Sequence, residues 1–403
     1  MKGVLKLMTF TVSMCFVVGN ANSNDIVLND QCPPSFAQVD GRCEFRSLYQ
    51  FYGDKQNMGG LRRALPKIRD GFSPQEIDLG RHLFFDPLLS GDGQSSCASC
   101  HHPDQGFADG QARSSGFGGR GAGFERHGGV ALSRAAPSLW NVGFVSKLFW
   151  DGRASTLEEQ AEGPLFNADE MGNNPKKLQH DLNSNIAYRR LFLQVYPNTQ
   201  ALGITTADVV RALTAFQSSL ISLNSRYDRY AHGDQNALNE TEKQGHNIFR
   251  SFVARCSQCH TPPLFTNNQI AAIGVPEPEG LAFDLGAGKL TEDPLARAAF
   301  KVPTLRNIAN TAPYMHSGTF KDLDEVVDFY NKKRGHALKP EQNVHVHWHI
   351  LHPDLEAQEL EALVAFLQTL NDETMKPAIP ERLPSGLPVA GFESRHSNQL
   401  VVK

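Results

Sequence analysis

Cys97-Ala98-Ser99-Cys100-His101 and Cys256-Ser257-Gln258-Cys259-His260 are two copies of one pattern: two cysteines separated by two residues, with histidine directly after the second. That histidine decides the reading. A bare Cys-x-x-Cys serves as half a zinc site or as a redox dithiol, and neither needs an adjacent imidazole. With histidine in place, the thiols can add across the vinyl groups of a haem while the imidazole is held over iron as an axial ligand. Two pentads therefore imply two covalently attached c-type haems, on Cys97/Cys100 with His101 and on Cys256/Cys259 with His260. The chain reads as a redox protein.

Outward from the pentads, helical patterns dominate. Ser73-Pro74-Gln75-Glu76 is a capping box with proline at the first helical position, predicting a helix through Leu83. Thr205 caps a segment in which Val209, Leu213, Phe216 and Leu220 recur at helical spacing, and Leu360, Leu363, Val364, Leu367 and Leu370 form a further stripe. These stripes predict core faces. The expected fold class is mainly α, with two cytochrome c-like haem domains, long loops and little β structure. About 380 mature residues exceed what one core usually holds, so the division expected is 71–235 for the first haem domain and 236–380 for the second, with a tail at 381–403. Polar sequence from Ala231 to Asn239 marks the boundary between them. Gly116 to Gly129 is glycine-rich and predicts a surface or pocket-edge loop.

Residues 1–23 read as an export signal, with Lys2 and Lys6, an apolar run from Leu7 to Val18 and Ala21-Asn22-Ser23 at its end. Cys15 lies inside that run, where Met14 disfavours a lipoprotein site. No later segment is long and apolar enough to span a bilayer. Of the seven cysteines, Cys32 and Cys43 are left as a pair in an exported chain, and a disulfide in the 24–70 extension is expected. Haem attachment and that bridge point to the periplasm. The net charge of -4 gives no basis for nucleic-acid binding.

Phe149-Trp150-Asp151-Gly152-Arg153, Leu157-Glu158-Glu159-Gln160-Ala161, Gly163-Pro164 and Glu170-Met171 form one cluster of motif residues; Lys301-Val302-Pro303-Thr304-Leu305-Arg306-Asn307 and Thr311-Ala312-Pro313-Tyr314-Met315-His316 form another. Together they resemble the two signatures of bacterial di-haem cytochrome c peroxidases, over roughly Phe72 to Leu370. Within that family, Tyr330 in Val326-Val327-Asp328-Phe329-Tyr330 aligns with the second axial ligand of the C-terminal haem. Conventional peroxidases have methionine there, whereas MauG and MbnH-type enzymes have tyrosine. An anionic oxygen ligand stabilises high-valent iron better than a thioether. Conventional peroxidases also place a blocking histidine after a Ser-x-Gly sequence; here Ser114-Ser115-Gly116 is followed by Phe117, which cannot ligate iron. His127 would restore such a ligand if the loop folds inward.

The resemblance implies that hydrogen peroxide is cleaved at the open His101 haem, with Glu170 as acid–base group, Gln160 as its hydrogen-bonding partner and Pro164 shaping the pocket. Trp150 would relay an electron between the haems, giving a bis-Fe(IV) state shared with the His260/Tyr330 haem. That state would oxidise tryptophan in a partner protein. The MauG precedent implies a quinone cofactor and the MbnH precedent kynurenine in a copper-linked partner; the Cys32/Cys43 extension and the glycine-rich loop favour the second. The alternative is a conventional peroxidase fed by a small cytochrome or cupredoxin. A pure electron carrier would need both haems six-coordinate and would leave Glu170 and Gln160 without a purpose.

Two further sites follow. The resemblance implies a calcium ion between the haem domains, held by the carbonyls of Thr311 and Pro313, although the family's asparagine ligand aligns with Ala135. From the residues themselves, His345, His347 and His349 would share one face of a strand and could gather copper or zinc. No cysteine or carboxylate completes a ligand spacing, which favours an ordinary exposed loop.

Overall fold

Each pentad folds as a single helical turn, Cys97–Cys100 and Cys256–Cys259. What positions these turns is a pair of helix crossings. The structure, a computed structural model, describes residues 26–46, 65–372, 374–389 and 391. The export signal read at 1–23 and most of the tail lie outside the described residues.

The first crossing joins α1 (Pro74–Phe85) to a later helix of the same half. Between them come α2 (Leu157–Phe166), α3 (Pro175–Ser184) and α4 (Ile186–Val195), and the partner of α1 is α5 (Thr206–Ser218). α1 starts as its sequence dictates: Glu76 N–H donates to Ser73 Oγ at 3.1 Å, and Ser73 N–H donates to Glu76 Oε2 at 2.7 Å. Gly80 is required by the crossing, because a Cβ there would overlap the Ala212 carbonyl oxygen and lie 2.9 Å from Phe216 Cβ. Around this contact Leu79, Leu83, Phe84, Leu213 and Phe216 are buried, with the Phe84 and Phe216 rings 5.0 Å apart. Each such phenylalanine contributes roughly 1.5–3 kcal/mol by burial.

The second half repeats the device. α6 (Glu240–Arg250) is capped by Asn239, whose side chain accepts from Glu242 N–H at 2.9 Å. After α7 (Leu323–Asn331), α8 (Ala357–Gln368) crosses α6. A Cβ on Gly245 would overlap the Ala362 carbonyl oxygen and lie 2.8 Å from Phe366 Cβ. Phe249, Phe265, Leu363, Phe366 and Leu367 fill this core. Leu220 and Leu370 remain buried although their helices end at Ser218 and Gln368, so each apolar stripe outlasts its helix by about half a turn.

Strands are short two-stranded pieces among the described residues. β1 (Phe36–Val39) and β2 (Arg42–Phe45) form a hairpin bridged by the Cys32–Cys43 disulfide, with Cα atoms 5.5 Å apart. Cys43 N–H donates to Phe72 O at 2.7 Å, tying this hairpin to the start of α1. β3 (Gly119–Arg120) pairs with β4 (His127–Gly128), and β5 (Ile270–Ala272) pairs with β6 (Ala299–Lys301).

Candidate functional site

A deep cavity in the second half is lined by Cys256, Cys259, His260 and Tyr330, with Val302, Leu305, Val327, Leu363 and Leu367 as apolar walls. His260 Nδ1 faces the carbonyl oxygens of Phe265 and Pro303, each at 3.1 Å. Carbonyls only accept, so Nδ1 carries the proton and Nε2 keeps the lone pair a metal needs. Burial holds the imidazole below its ordinary pKa, again favouring the neutral ligand form.

The second signature builds the frame for this histidine. Besides the Pro303 carbonyl, Thr304 Oγ1 donates to Leu264 O at 2.6 Å, and the fully buried Arg306 guanidinium donates to Pro263 O at 2.9 and 2.6 Å. Arg306 also pairs with buried Asp228 at 2.5 and 2.7 Å. Tyr330 comes in on α7, which is launched by Asp322 accepting from Glu325 N–H at 2.8 Å. Burial, followed by the nearby Cys256 and Cys259 thiols, pushes its phenol pKa well up. A phenolate at this position therefore needs a cation beside it.

In the first half, His101 Nδ1 faces Phe107 O at 2.8 Å, the same orientation device. Burial pushes the Cys100 thiol up to about 12, with Asp109 and Glu170 adding to the rise and Arg126 opposing it, which places Glu170 within electrostatic reach of the pentad. The Glu170 carboxyl pKa is itself raised by burial. Its Oε1 accepts from Asn167 Nδ2 at 2.8 Å, so the partner expected to be Gln160 is instead Asn167, at the C-terminal end of α2. Gln160 and Pro164 lie on α2 itself, and Met171 N–H donates to the Pro164 carbonyl at 3.1 Å.

Phe117 packs its ring against Gly172, beside the Glu170–Met171 turn, and its N–H donates to Asp169 O at 2.8 Å. His127 points away: it is exposed and paired in β4. Arg126, buried in the glycine-rich loop, closes that loop by donating to Ser115 O at 2.6 Å, Ser95 Oγ at 2.8 Å and Gly116 O at 2.9 Å. Nothing in the composition of the loop announced this staple.

Trp150 lies between the halves and lines the second cavity. Its indole Nε1–H donates to Ala135 O at 2.9 Å, and its ring meets the His316 ring edge-on at 6.5 Å. Arg134 clamps the junction, donating to Asp151 Oδ2 at 2.8 Å and to both Asp284 oxygens at 2.7 and 3.0 Å. Thr311 and Pro313 line the same cavity. Calcium takes 6–8 oxygen ligands, from carboxylates, carbonyls and waters, and no carboxylate here is left over to supply one. Asp151 and Asp284 are engaged by Arg134, Ala135 offers no side-chain oxygen, and the Ala135 carbonyl is occupied by Trp150.

The histidine stretch is an extended loop rather than a strand, hydrogen-bonded through His347 N–H to Ala272 O at 2.8 Å. His345 is exposed, whereas His347 and His349 line the second cavity. No three histidine, cysteine or carboxylate side chains gather as a metal group among the described residues.

Both pentads thus fit haem: the four thiols are unbridged, and each imidazole is turned by carbonyls to leave Nε2 free. Lys301 adds a cation to the second cavity, with no ion-pair partner among the described residues and a pKa pushed down by burial to about 8; the haem carboxylates would supply the counter-charge. A family model described as di-haem cytochrome c peroxidase matches residues 74–236. The methylamine utilization protein MauG of Methylorubrum extorquens is 34% identical over 312 residues, covering 77% of this chain and 82% of that protein. The chain belongs to the di-haem cytochrome c peroxidase family. Cytochrome c551 peroxidase of Nitrosomonas europaea is 32% identical over 317 residues, covering 78% of this chain and 86% of that protein. Among solved structures, a MauG-like protein associated with microbial copper homeostasis superposes with a TM-score of 0.68 at 32% identity, covering 79% of this chain and 96% of the other. The di-haem peroxidase BthA of Burkholderia thailandensis gives 0.59 at 27% identity, covering 82% and 97%. As a member of this family the chain is a peroxidase-type oxidoreductase. No helix among its described residues is long and apolar enough to cross a membrane.

Proposed function

We propose that this chain, exported to the periplasm, uses hydrogen peroxide to oxidise tryptophan in a partner protein. The observation that carries the reading is the asymmetry of the two sites. Tyr330 and His260 line one cavity, whereas Glu170, Asp109 and Arg126 stand within electrostatic reach of Cys100, Phe117 packs beside the Glu170 turn and His127 turns outward. Two haems, when bound, would supply peroxide reduction and the holding of oxidising equivalents.

The protein's own groups do the rest. Asn167 fixes Glu170 Oε1 and leaves Oε2 to take a proton from one peroxide oxygen and return it to the other. The raised pKa of Glu170 brings it closer to neutrality, where such a shuttle works best. Gln160 and Pro164, on the helix that leads into the Glu170 turn, would shape the peroxide site. Trp150, fixed by Ala135 and beside the Arg134 clamp, would carry electrons between the halves. Calcium has no part in this reading. The likeness to a MauG-like protein associated with copper homeostasis supports a copper-linked partner and a kynurenine product over a quinone cofactor.

The resting ferric holoprotein tests this. One high-spin haem beside a low-spin haem with tyrosinate character is the expected spectrum, and Tyr330→Phe should remove the tyrosinate signature. A methionine-ligated second haem would favour the conventional peroxidase reading, in which a small cytochrome or cupredoxin is the electron donor, as the similarity to the Nitrosomonas europaea enzyme allows. Mass spectrometry of the co-purifying partner after peroxide treatment then identifies the product.

A further inference from the structure

We propose that Trp348 is the surface relay through which electrons from the partner protein enter this chain. The inference rests on the function proposed above and names the residue at which that function meets its substrate.

The chain has three tryptophans. Trp140 is buried in the first core, edge-on to Phe107 at 5.0 Å, and Trp150 lies between the halves. Trp348 alone of the three is open to solvent, at 63% exposure. It does not project because its loop is loose. Val346 is buried, His347 N–H donates to Ala272 O at 2.8 Å, Ile350 N–H donates to His347 O at 3.0 Å, and the Arg334 guanidinium holds the Val346 carbonyl.

The rings behind Trp348 lead inward. The Trp348 and His349 ring centroids are 3.6 Å apart, His347 lies 6.1 Å from Trp348 with planes 24° from parallel, and the two imidazoles are 5.1 Å from each other. His347 and His349 both line the cavity that contains His260 and Tyr330. Closely packed π systems thus run from solvent to the cavity wall. Leu351, three residues on, is exposed and lines the same cavity. An exposed indole beside an exposed leucine suits a protein partner, here one presenting an indole of its own. The two imidazoles do not make a metal site instead, because His347 Nδ1 already accepts from His349 N–H at 3.3 Å and no carboxylate joins them.

The electron balance is simple. Reduction of one hydrogen peroxide to two waters consumes two electrons and two protons. Each crossing at Trp348 takes one electron from the partner's indole, and two crossings restore the resting protein while the partner's indole loses two electrons and, with them, protons to water. Without a partner, Trp348 is itself the outer end of the path: it loses two electrons, takes oxygen from water and releases two protons, for a net gain of one oxygen atom.

Peroxide added in equimolar amount to the holoprotein alone, followed by peptide mapping, tests this. The expected result is a one-oxygen mass gain on Trp348. In Trp348→Phe the optical lifetime of the peroxide-oxidised protein should lengthen, and in Trp348→Tyr, which keeps an oxidisable ring, the wild-type lifetime should return. An equal mass gain on Trp348 in the Glu170→Gln protein would mean direct attack by peroxide and would overturn the relay. Oxygen gained on methionine or tyrosine with Trp348 intact, or an unchanged lifetime in Trp348→Phe, would overturn it while leaving the proposed function standing. Absence of any peroxide-dependent spectral change in the wild type would overturn both.

Discussion

The two halves of the molecule are built alike and finished differently. In each, a capped helix crosses a later helix over a glycine, Gly80 on Ala212 and Phe216 in the first, Gly245 on Ala362 and Phe366 in the second. In each, an arginine grips the capping-box glutamate: Arg211 on Glu76 and Arg226 on Glu242. In each, the pentad histidine is aimed by backbone carbonyls. The pentads nonetheless have different neighbours, Glu170 within reach of Cys100 in one half and Tyr330 on the cavity wall with Cys256 and Cys259 in the other. Scaffold and coordination are therefore separable: packing fixes where the haem would sit, and a few side chains decide what it would do.

Three experiments break or sharpen that contrast, and the largest effect falls on chemistry. Glu170→Gln should slow the peroxide-dependent spectral change by roughly 10²–10⁴-fold, the usual contribution of a positioned acid–base group, without altering the Tyr330 signature in the resting spectrum. Burial raises the Glu170 pKa, and the shuttle starts from the carboxylate. The wild-type rate should therefore fall with decreasing pH through a midpoint above the ordinary glutamate value of about 4.3. The same shift means that protonated Glu170 favours the fold at low pH and that this contribution fades as pH rises through its folded pKa. A rate limb at the ordinary value, read by stopped-flow spectroscopy, would break the assignment.

Arg306→Met comes next. It leaves Asp228 buried without its guanidinium, a loss of about 3–5 kcal/mol for a pair of this kind, measurable by denaturant unfolding. Wild-type stability in that variant would show the second half to be less dependent on its buried ion pair than the geometry demands. The smallest effect tests the likeness itself. Gly80→Ala and Gly245→Ala should each cost about 1–3 kcal/mol, the range for overpacking, and by similar amounts. A large inequality between the two melting shifts would show that the crossings are not equivalent.

The parts of this fold legible in the sequence are those specified by neighbours along the chain. The pentads, the Ser73–Glu76 box and the apolar stripe of α8 are local patterns, and the structure displays each of them. Tyr330 could be singled out because it keeps register with the Thr311-Ala312-Pro313 motif. Arg134 could not, since its partner Asp284 lies 150 residues away. The sequence points to Gln160 rather than Asn167, because turn geometry at the end of α2, and no residue pattern, brings the amide to Glu170. The sequence favours an exposed loop for His345, His347 and His349, and a loop it is; that it turns His347 and His349 towards the second cavity is a matter of tertiary contact with β5.

The hydrogen bond from the Trp150 indole to the Ala135 carbonyl carries a consequence for how Trp150 can work. A peptide carbonyl is far too weak a base to take the indole proton, and the Nε1–H has its partner at 2.9 Å. An electron leaving Trp150 would leave the proton where it is, and an electron returning would find every atom in place. The residue between the halves is wired for charge and insulated from acid and base, so the speed of its exchange should be indifferent to the pH that governs Glu170.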